Sequence, residues 1–166
     1  MWIHPDPYHL TFAQNGQAHG ELRRKNIDID GILKIAAKRW DGGYAMAGLF
    51  GHGDAFVLRD PSGIRPAYYY MDDEVVVVTS ERPVIQTGFN VPFEEIKEID
   101  PGKALIVRKN GEVTFSQIKE PLERKACSFE RIYFSRGNDK DIYSERIQLG
   151  KRLIPQIMDA IDHDLD

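Results

Sequence analysis

Apolar residues first recur along this chain at helical spacing. Ile29, Ile32, Leu33, Ala36 and Trp40 fall three and four residues apart, which predicts an amphipathic helix over that stretch. Asp28 or Asp30 can cap its start, and Asp41-Gly42-Gly43 ends it. The pattern then becomes that of paired strands. Tyr44–Phe50 and Ala55–Arg59 flank the turn Gly51-His52-Gly53-Asp54. Ala67–Met71 and Glu74–Thr79 flank Asp72-Asp73. Val75-Val76-Val77-Val78 is uniformly apolar, so that strand is expected to be covered on both faces. A short helix is predicted from Glu81 to Thr87 with Gly88 as its stop. A third hairpin follows, from Asp100-Pro101-Gly102-Lys103 through Ala104–Arg108, the turn Asn110-Gly111 and Glu112–Ile118; Asn-Gly between β-rich runs is a strong hairpin signal. Residues 119–126 are charged and read as a linker, and Ser128–Phe134 reads as a strand or an extended entry. A closing helix is expected from Tyr143 to Ile161, with Ile147, Ile154, Ile157, Met158 and Ile161 apolar and Pro155 kinking or breaking it. Residues 1–27 hold Pro5, Pro7, Gly16 and Gly20 and no sustained period, although Tyr8–Phe12 suits a short strand. Helix, antiparallel hairpins, then helix is an α+β pattern.

Composition narrows the class. A chain of 166 residues, 42% hydrophobic and 29% charged, is a globular domain, or one domain plus the start of another. Its 22 basic and 26 acidic residues are well mixed, which excludes a nucleic-acid-tracking surface. One cysteine excludes an internal disulfide framework and suits a reducing cytosol. No apolar run approaches the roughly 20 residues of a membrane span, and the first residues lack the basic segment and apolar h-region of a signal peptide, so none is expected. A cytoplasmic protein without membrane or nucleic-acid partners is therefore expected.

The segment Arg59-Asp60-Pro61-Ser62-Gly63-Ile64-Arg65-Pro66 stands out, because a plain hairpin needs no such turn. Pro61 fixes φ, Gly63 permits a left-handed residue and Pro66 keeps the exit extended. Arg59, Asp60 and Arg65 can form a local network that pins the loop. Phosphate binding by the two arginines is the alternative, but the glycines for backbone anion capture are missing.

The segment resembles the R-D-P-x-G-I-R-P motif of the glutamine phosphoribosylpyrophosphate amidotransferases. Four further blocks, in the same order, are similar to that family: Trp40-Asp41-Gly42-Gly43-Tyr44-Ala45, Val78-Thr79-Ser80-Glu81, Asp100-Pro101-Gly102, and Cys127–Arg136, with Tyr143, Arg146 and Gly150 continuing the last. Arg59, Asp60, Pro61, Gly63, Arg65, Pro66, Ser80, Glu81 and Arg136 thus carry the resemblance as marker and structural positions. The resemblance implies a partial N-terminal-nucleophile hydrolase (αββα) glutaminase domain at 28–120. A linker and the first strand and helix of a phosphoribosyltransferase domain would follow at 121–166, and 1–27 form a poorly matched segment. It implies a parent glycosyltransferase, an amidophosphoribosyltransferase of purine biosynthesis, that makes phosphoribosylamine from glutamine and phosphoribosyl pyrophosphate with magnesium present.

Departures from the family are equally informative. The family's nucleophile is an N-terminal cysteine whose own α-amino group serves as base, whereas this chain begins Met1-Trp2-Ile3 and its one cysteine is Cys127. No glutamine pocket and no ribose-phosphate loop is found; Asn15-Gly16 reads as a loop turn more readily than as an oxyanion element. No residue is therefore assigned a catalytic, substrate-binding or metal-binding role, and the chain alone is expected to be inactive. Cys127 occupies the place where some family members hold a [4Fe–4S] ligand, but such a cluster takes four thiolates, and a small half-buried side chain is the simpler reading. His4, His9, His19, His52 and His163 share no motif with Cys127. His52 reads as an exposed turn residue, and His163 beside Asp162, Asp164 and Asp166 as a solvated helix end. In Tyr68-Tyr69-Tyr70 one ring should face opposite to the other two. The expected partners are the rest of a parent chain and a further copy in a homo-oligomer. Another class II glutamine amidotransferase, or a degenerate non-enzymatic module for oligomerisation or regulation, are the alternatives.

Overall fold

The computed structural model describes residues 27–164; Tyr8–Phe12, Asn15-Gly16, His4, His9, His19 and Asp166 lie outside them. Helix α1 (Ile29–Ala37) starts at Asp28, whose carboxylate accepts the Gly31 N–H at 2.9 Å and so satisfies one of the free donors of a helix start. Strands β1 (Ala45–Leu49) and β2 (Ala55–Arg59) form the first hairpin. The second joins β3 (Tyr68–Met71) to β4 (Val76–Thr79), and the third joins β6 (Lys103–Val107) to β7 (Val113–Gln117). Between them lie α2 (Arg82–Phe89) and a two-residue strand, β5 (Lys97–Glu98). The strands divide into two antiparallel sheets, ordered β1-β2-β6-β7 and β4-β3-β5.

Alternation along each strand builds the layers. Leu58, Ala104 and Ile106 point from the larger sheet to Ile29, Leu33 and Ala37 of α1. The opposite face, through Val57, Leu105, Val107 and Val113, meets Ala67, Tyr69, Val76, Val78 and Ile99. Tyr68, Tyr70 and Val77 leave the second sheet outward and pack with Ile85, Val91 and Ile96. The three tyrosines thus divide as strand geometry requires, with Tyr69 turned inward against Phe115, ring centroids 5.2 Å apart. The order is helix, sheet, sheet, helix. Each fully buried aliphatic side chain at these three contacts contributes roughly 1.5–3 kcal/mol.

Several expectations are corrected. The valine run is covered on both faces as expected, but it forms an edge strand, paired only with β3, and its valines are half-buried. Val76 and Val78 serve one core and Val77 another, which explains the unbroken apolar run in a strand at the sheet edge. Gly88 lies inside α2, and the helix stops at Asn90, which takes the left-handed conformation at φ 52°. The closing helix, α3 (Lys140–Ala160), starts three residues before Tyr143 because Asp139 accepts the Asp141 and Ile142 N–H groups at 3.0 and 3.3 Å. It also runs on through Pro155. That proline is exposed, and it removes the N–H that would have donated to the Lys151 carbonyl four residues back.

Ser128–Phe134 is not a strand. Its core, Glu130–Phe134, is a single π-helical turn. The Arg146 guanidinium donates to the carbonyls of Arg131, Ile132 and Ser135 at 2.7–3.2 Å, which satisfies groups that a strand would have left for a neighbour. Among the described residues no helix is long and apolar enough to cross a membrane.

Candidate functional site

β2 delivers Arg59 and Asp60 to the end of the larger sheet, where both side chains leave water; Arg59 is 2% and Asp60 0% exposed. Asp60 accepts three backbone N–H groups: Ser62 at 3.0 Å and Ile64 at 2.9 Å on one oxygen, Arg65 at 3.0 Å on the other. Gly63, at φ +60°, makes the left-handed step that turns those donors inward. Arg59 donates from Nε to the Arg65 carbonyl (2.8 Å), from Nη1 to Ile99 (2.7 Å) and from Nη2 to Gly63 (3.2 Å), and Nη2 also meets Glu98 at 2.7 Å. One side chain thereby fastens the loop to β5. Every guanidinium nitrogen is engaged, so Arg59 has no fork left for a phosphate.

The surrounding turns lock onto the same node. The Asp60 carbonyl accepts the Gly102 N–H at 3.1 Å, and Gly102 in turn accepts Ile118 and Lys119. The Asp60 N–H donates to Tyr44 at 2.8 Å. The Tyr44 hydroxyl is buried with no partner among the described residues, and burial, aided by the Asp60 charge, raises its pKa. The linker lies along the loop, with Leu122 and Lys125 donating to the carbonyls of Pro61 and Ser62.

Arg65 departs from the expected local network. Its backbone joins the node, but its guanidinium pairs with Glu130 and lies over the Phe134 ring, 5.5 Å from the centroid. The other marker residues meet across the same region. The Glu81 carboxylate accepts the Arg136 N–H at 3.1 Å, while Pro66 and Ser80 line a small cavity of about 50 Å3 between loop and C-terminal element. Cys127 lines it too, beside Arg82, Arg131, Glu130 and Asp139. No second cysteine exists in the chain, so these residues do not fit a [4Fe–4S] cluster. Among the described residues no group of three or more His, Cys, Asp or Glu side chains is arranged to hold a metal ion.

Two polar contacts escaped the sequence reading. Arg82 forks onto Asp139 at 2.8 and 2.7 Å; burial opposes its charge, but Asp139 more than offsets that and raises its pKa. Nothing in the sequence joins residues 57 positions apart. His52 is the second, for it is folded in rather than exposed, its Nε2 lying 3.0 Å from Asp54 Oδ2. Burial pushes the Asp54 carboxyl up, but the Lys109 N–H, His52 and Arg108 outweigh it and bring the pKa down to about 2.

A two-sheet α+β unit with an arginine–aspartate node at its loop end is the class of structure defined so far. No protein-family model matches the chain. The amidophosphoribosyltransferase of Lachancea kluyveri is 27% identical over 165 residues, covering 93% of this chain and 32% of the relative. That of Pasteurella multocida is 32% identical, covering 89% and 38% respectively. That of Archaeoglobus fulgidus is 35% identical over 76% of this chain. Among solved structures, the Bacillus subtilis glutamine phosphoribosylpyrophosphate amidotransferase complexed with ADP and GMP aligns with a TM-score of 0.56 at 25% identity, covering 83% of this chain and 28% of that one. The chain is homologous to part of the amidophosphoribosyltransferases, and it spans about a third of the length of the curated relatives that it matches.

Proposed function

We propose that the chain is the late glutaminase segment, and the start of the phosphoribosyltransferase segment, of an amidophosphoribosyltransferase. The parent enzyme would make 5-phosphoribosylamine from glutamine and phosphoribosyl pyrophosphate, at the entry to purine synthesis. The carrying observation is that about nine-tenths of the chain aligns with about a third of enzymes of that name. The helix–sheet–sheet–helix order supports a partial N-terminal-nucleophile glutaminase for the body, and the linker with α3 supports the passage into a second domain.

On this reading the chain supplies framework to the parent. The Arg59–Asp60 node holds the end of the glutaminase sheets, and the apolar side of α3 contacts the rest of the parent or a second copy. Glutamine hydrolysis would be the work of a thiolate beside a free α-amino group, and Cys127, held within the chain at the loop seam, has no such base. The 166-residue chain should therefore release no glutamate from glutamine. Turnover above buffer that Cys127→Ala abolishes would overturn this assignment. Reading the coding sequence on both sides tests the larger proposal, with a cysteine-headed half expected before this segment and a ribose-phosphate-binding half after it.

A further inference from the structure

The C-terminal element, from Glu130 through α3, meets the body along a polar seam. Ile142 is the buried residue of α3, and the 50 Å3 cavity runs beside it, so the seam lacks the close packing of a protein interior. Three arginines form ion pairs across it. Arg136–Glu81 involves an arginine that is 70% exposed, and such pairs are weak; in Arg65–Glu130 the carboxylate is 12% but the arginine 43% exposed, so water still screens that pair from one side. Arg82 differs. Its side chain is 15% exposed and that of Asp139 6%, it adds Asp141 at 3.0 Å, and its guanidinium lies over Phe93 and Tyr68 at 4.2 and 5.3 Å. A forked pair that is also stacked on aromatic rings fixes orientation as well as distance.

The element behind that pair is braced internally. Arg146 ties the π-helical turn to α3, as does the Arg131–Glu145 pair. On the other side, hydrogen bonds hold the linker to the motif loop as far as Lys125. Ala126 and Cys127 lie between the two anchored stretches. We propose that Arg82 is a latch: its pairing with Asp139 sets the angle of the C-terminal element on the body, and its release lets that element swing as a unit about Ala126–Cys127 while the sheets stay folded. This mechanical property rests on the contacts within the chain and stands apart from the enzymatic reading.

Spin labels placed through Asp73→Cys on the body and Lys151→Cys on α3, in a Cys127→Ser background, test it by pulsed dipolar spectroscopy. Hydrogen exchange of β2 and β6 amides is followed in parallel. The parent pair, diluted into unlabelled chain so that only distances within one molecule are read, should give one narrow distance distribution. Arg82→Gln, and Asp139→Asn, which keeps a side-chain oxygen for the helix cap, should each widen it at least twofold with β2 and β6 protection unchanged. A distribution that stays narrow in either variant overturns the latch, as does a broad one in the parent pair. Widening that comes only with loss of β2 and β6 protection overturns it too, because the element would then not be separable from the sheets.

Discussion

Asp60 holds a fully buried carboxylate against three backbone donors, and Arg59 bridges that loop to β5. Truncation of either leaves its partners buried and unpaired, which costs far more than the net worth of the bonds. Asp60→Ala should lower unfolding free energy by roughly 2–4 kcal/mol, read from the midpoint shift in urea at unchanged slope. Asp60→Asn, which retains one acceptor oxygen, should lose less; equal losses would show that the acceptor geometry is immaterial. Asp54 supplies a pH-dependent counterpart. Its folded pKa, about 2, lies below the ordinary 3.8, so its contribution is complete above the unfolded value and is lost as pH falls from 3.8 toward 2. Stability measured across that window should fall less steeply in Asp54→Asn than in the parent chain, and superimposable curves would remove Asp54 from the acid response.

Glycines distinguish the elements sharply. Gly88 sits inside α2 with open space around a would-be Cβ, so Gly88→Ala should stabilise by roughly 0.5–1 kcal/mol through backbone entropy. Had Gly88 been the left-handed stop that its position in the sequence suggests, the same change would destabilise; the sign of the shift in thermal midpoint decides. Gly102 is the opposite case. At φ +74°, its Cβ would stand 2.2 Å from the Lys119 carbonyl oxygen, in the turn that joins β6 to the Asp60 node. Gly102→Ala should cost more than Gly111→Ala, whose φ is equally left-handed at +88° but whose surroundings are open. Equal costs would mean that strain in φ, and not the clash, governs both turns.

Surface apolarity is concentrated in the C-terminal element. Phe129, Ile132, Tyr133, Phe134, Tyr143, Ile147, Leu149, Leu153, Ile154 and Ile157 are all exposed, Tyr133 by 71%. A soluble monomer rarely leaves a patch of several such side chains wet, and a helix with an apolar stripe is stabilised chiefly by what covers it. Homo-oligomers of the 166-residue chain are therefore expected by sedimentation equilibrium at micromolar concentration, shifted toward monomer by Ile147→Glu with Ile154→Glu. A stable, non-aggregating monomer would overturn the prediction. The half-buried Val76–Val78 and Tyr68–Tyr70 are served by the inter-sheet and outer cores, so α3 is the surface on which association should depend.

Local pattern was enough to determine most of the elements. The three hairpins, an aspartate cap for the first helix, the division of the tyrosines and the family motif all rest on periodicity and turn residues acting within a few positions. Those signals are local because the backbone conformations that they favour are local. Tertiary structure decided the rest. A run of valines reads the same whether it is enclosed or at a sheet edge, since the sequence does not count a strand's neighbours. An aromatic and β-branched stretch at Phe129–Phe134 became a helical turn because Arg146, ten or more residues on, took its carbonyls. Arg65 turned away from its own loop because Glu130 was in reach, and His52 folded inward toward Asp54, which Arg108 and the Lys109 N–H also hold. Contacts between residues far apart in the chain depend on how the elements pack and not on local pattern, and the Arg82–Asp139 pair across the seam is the clearest of them.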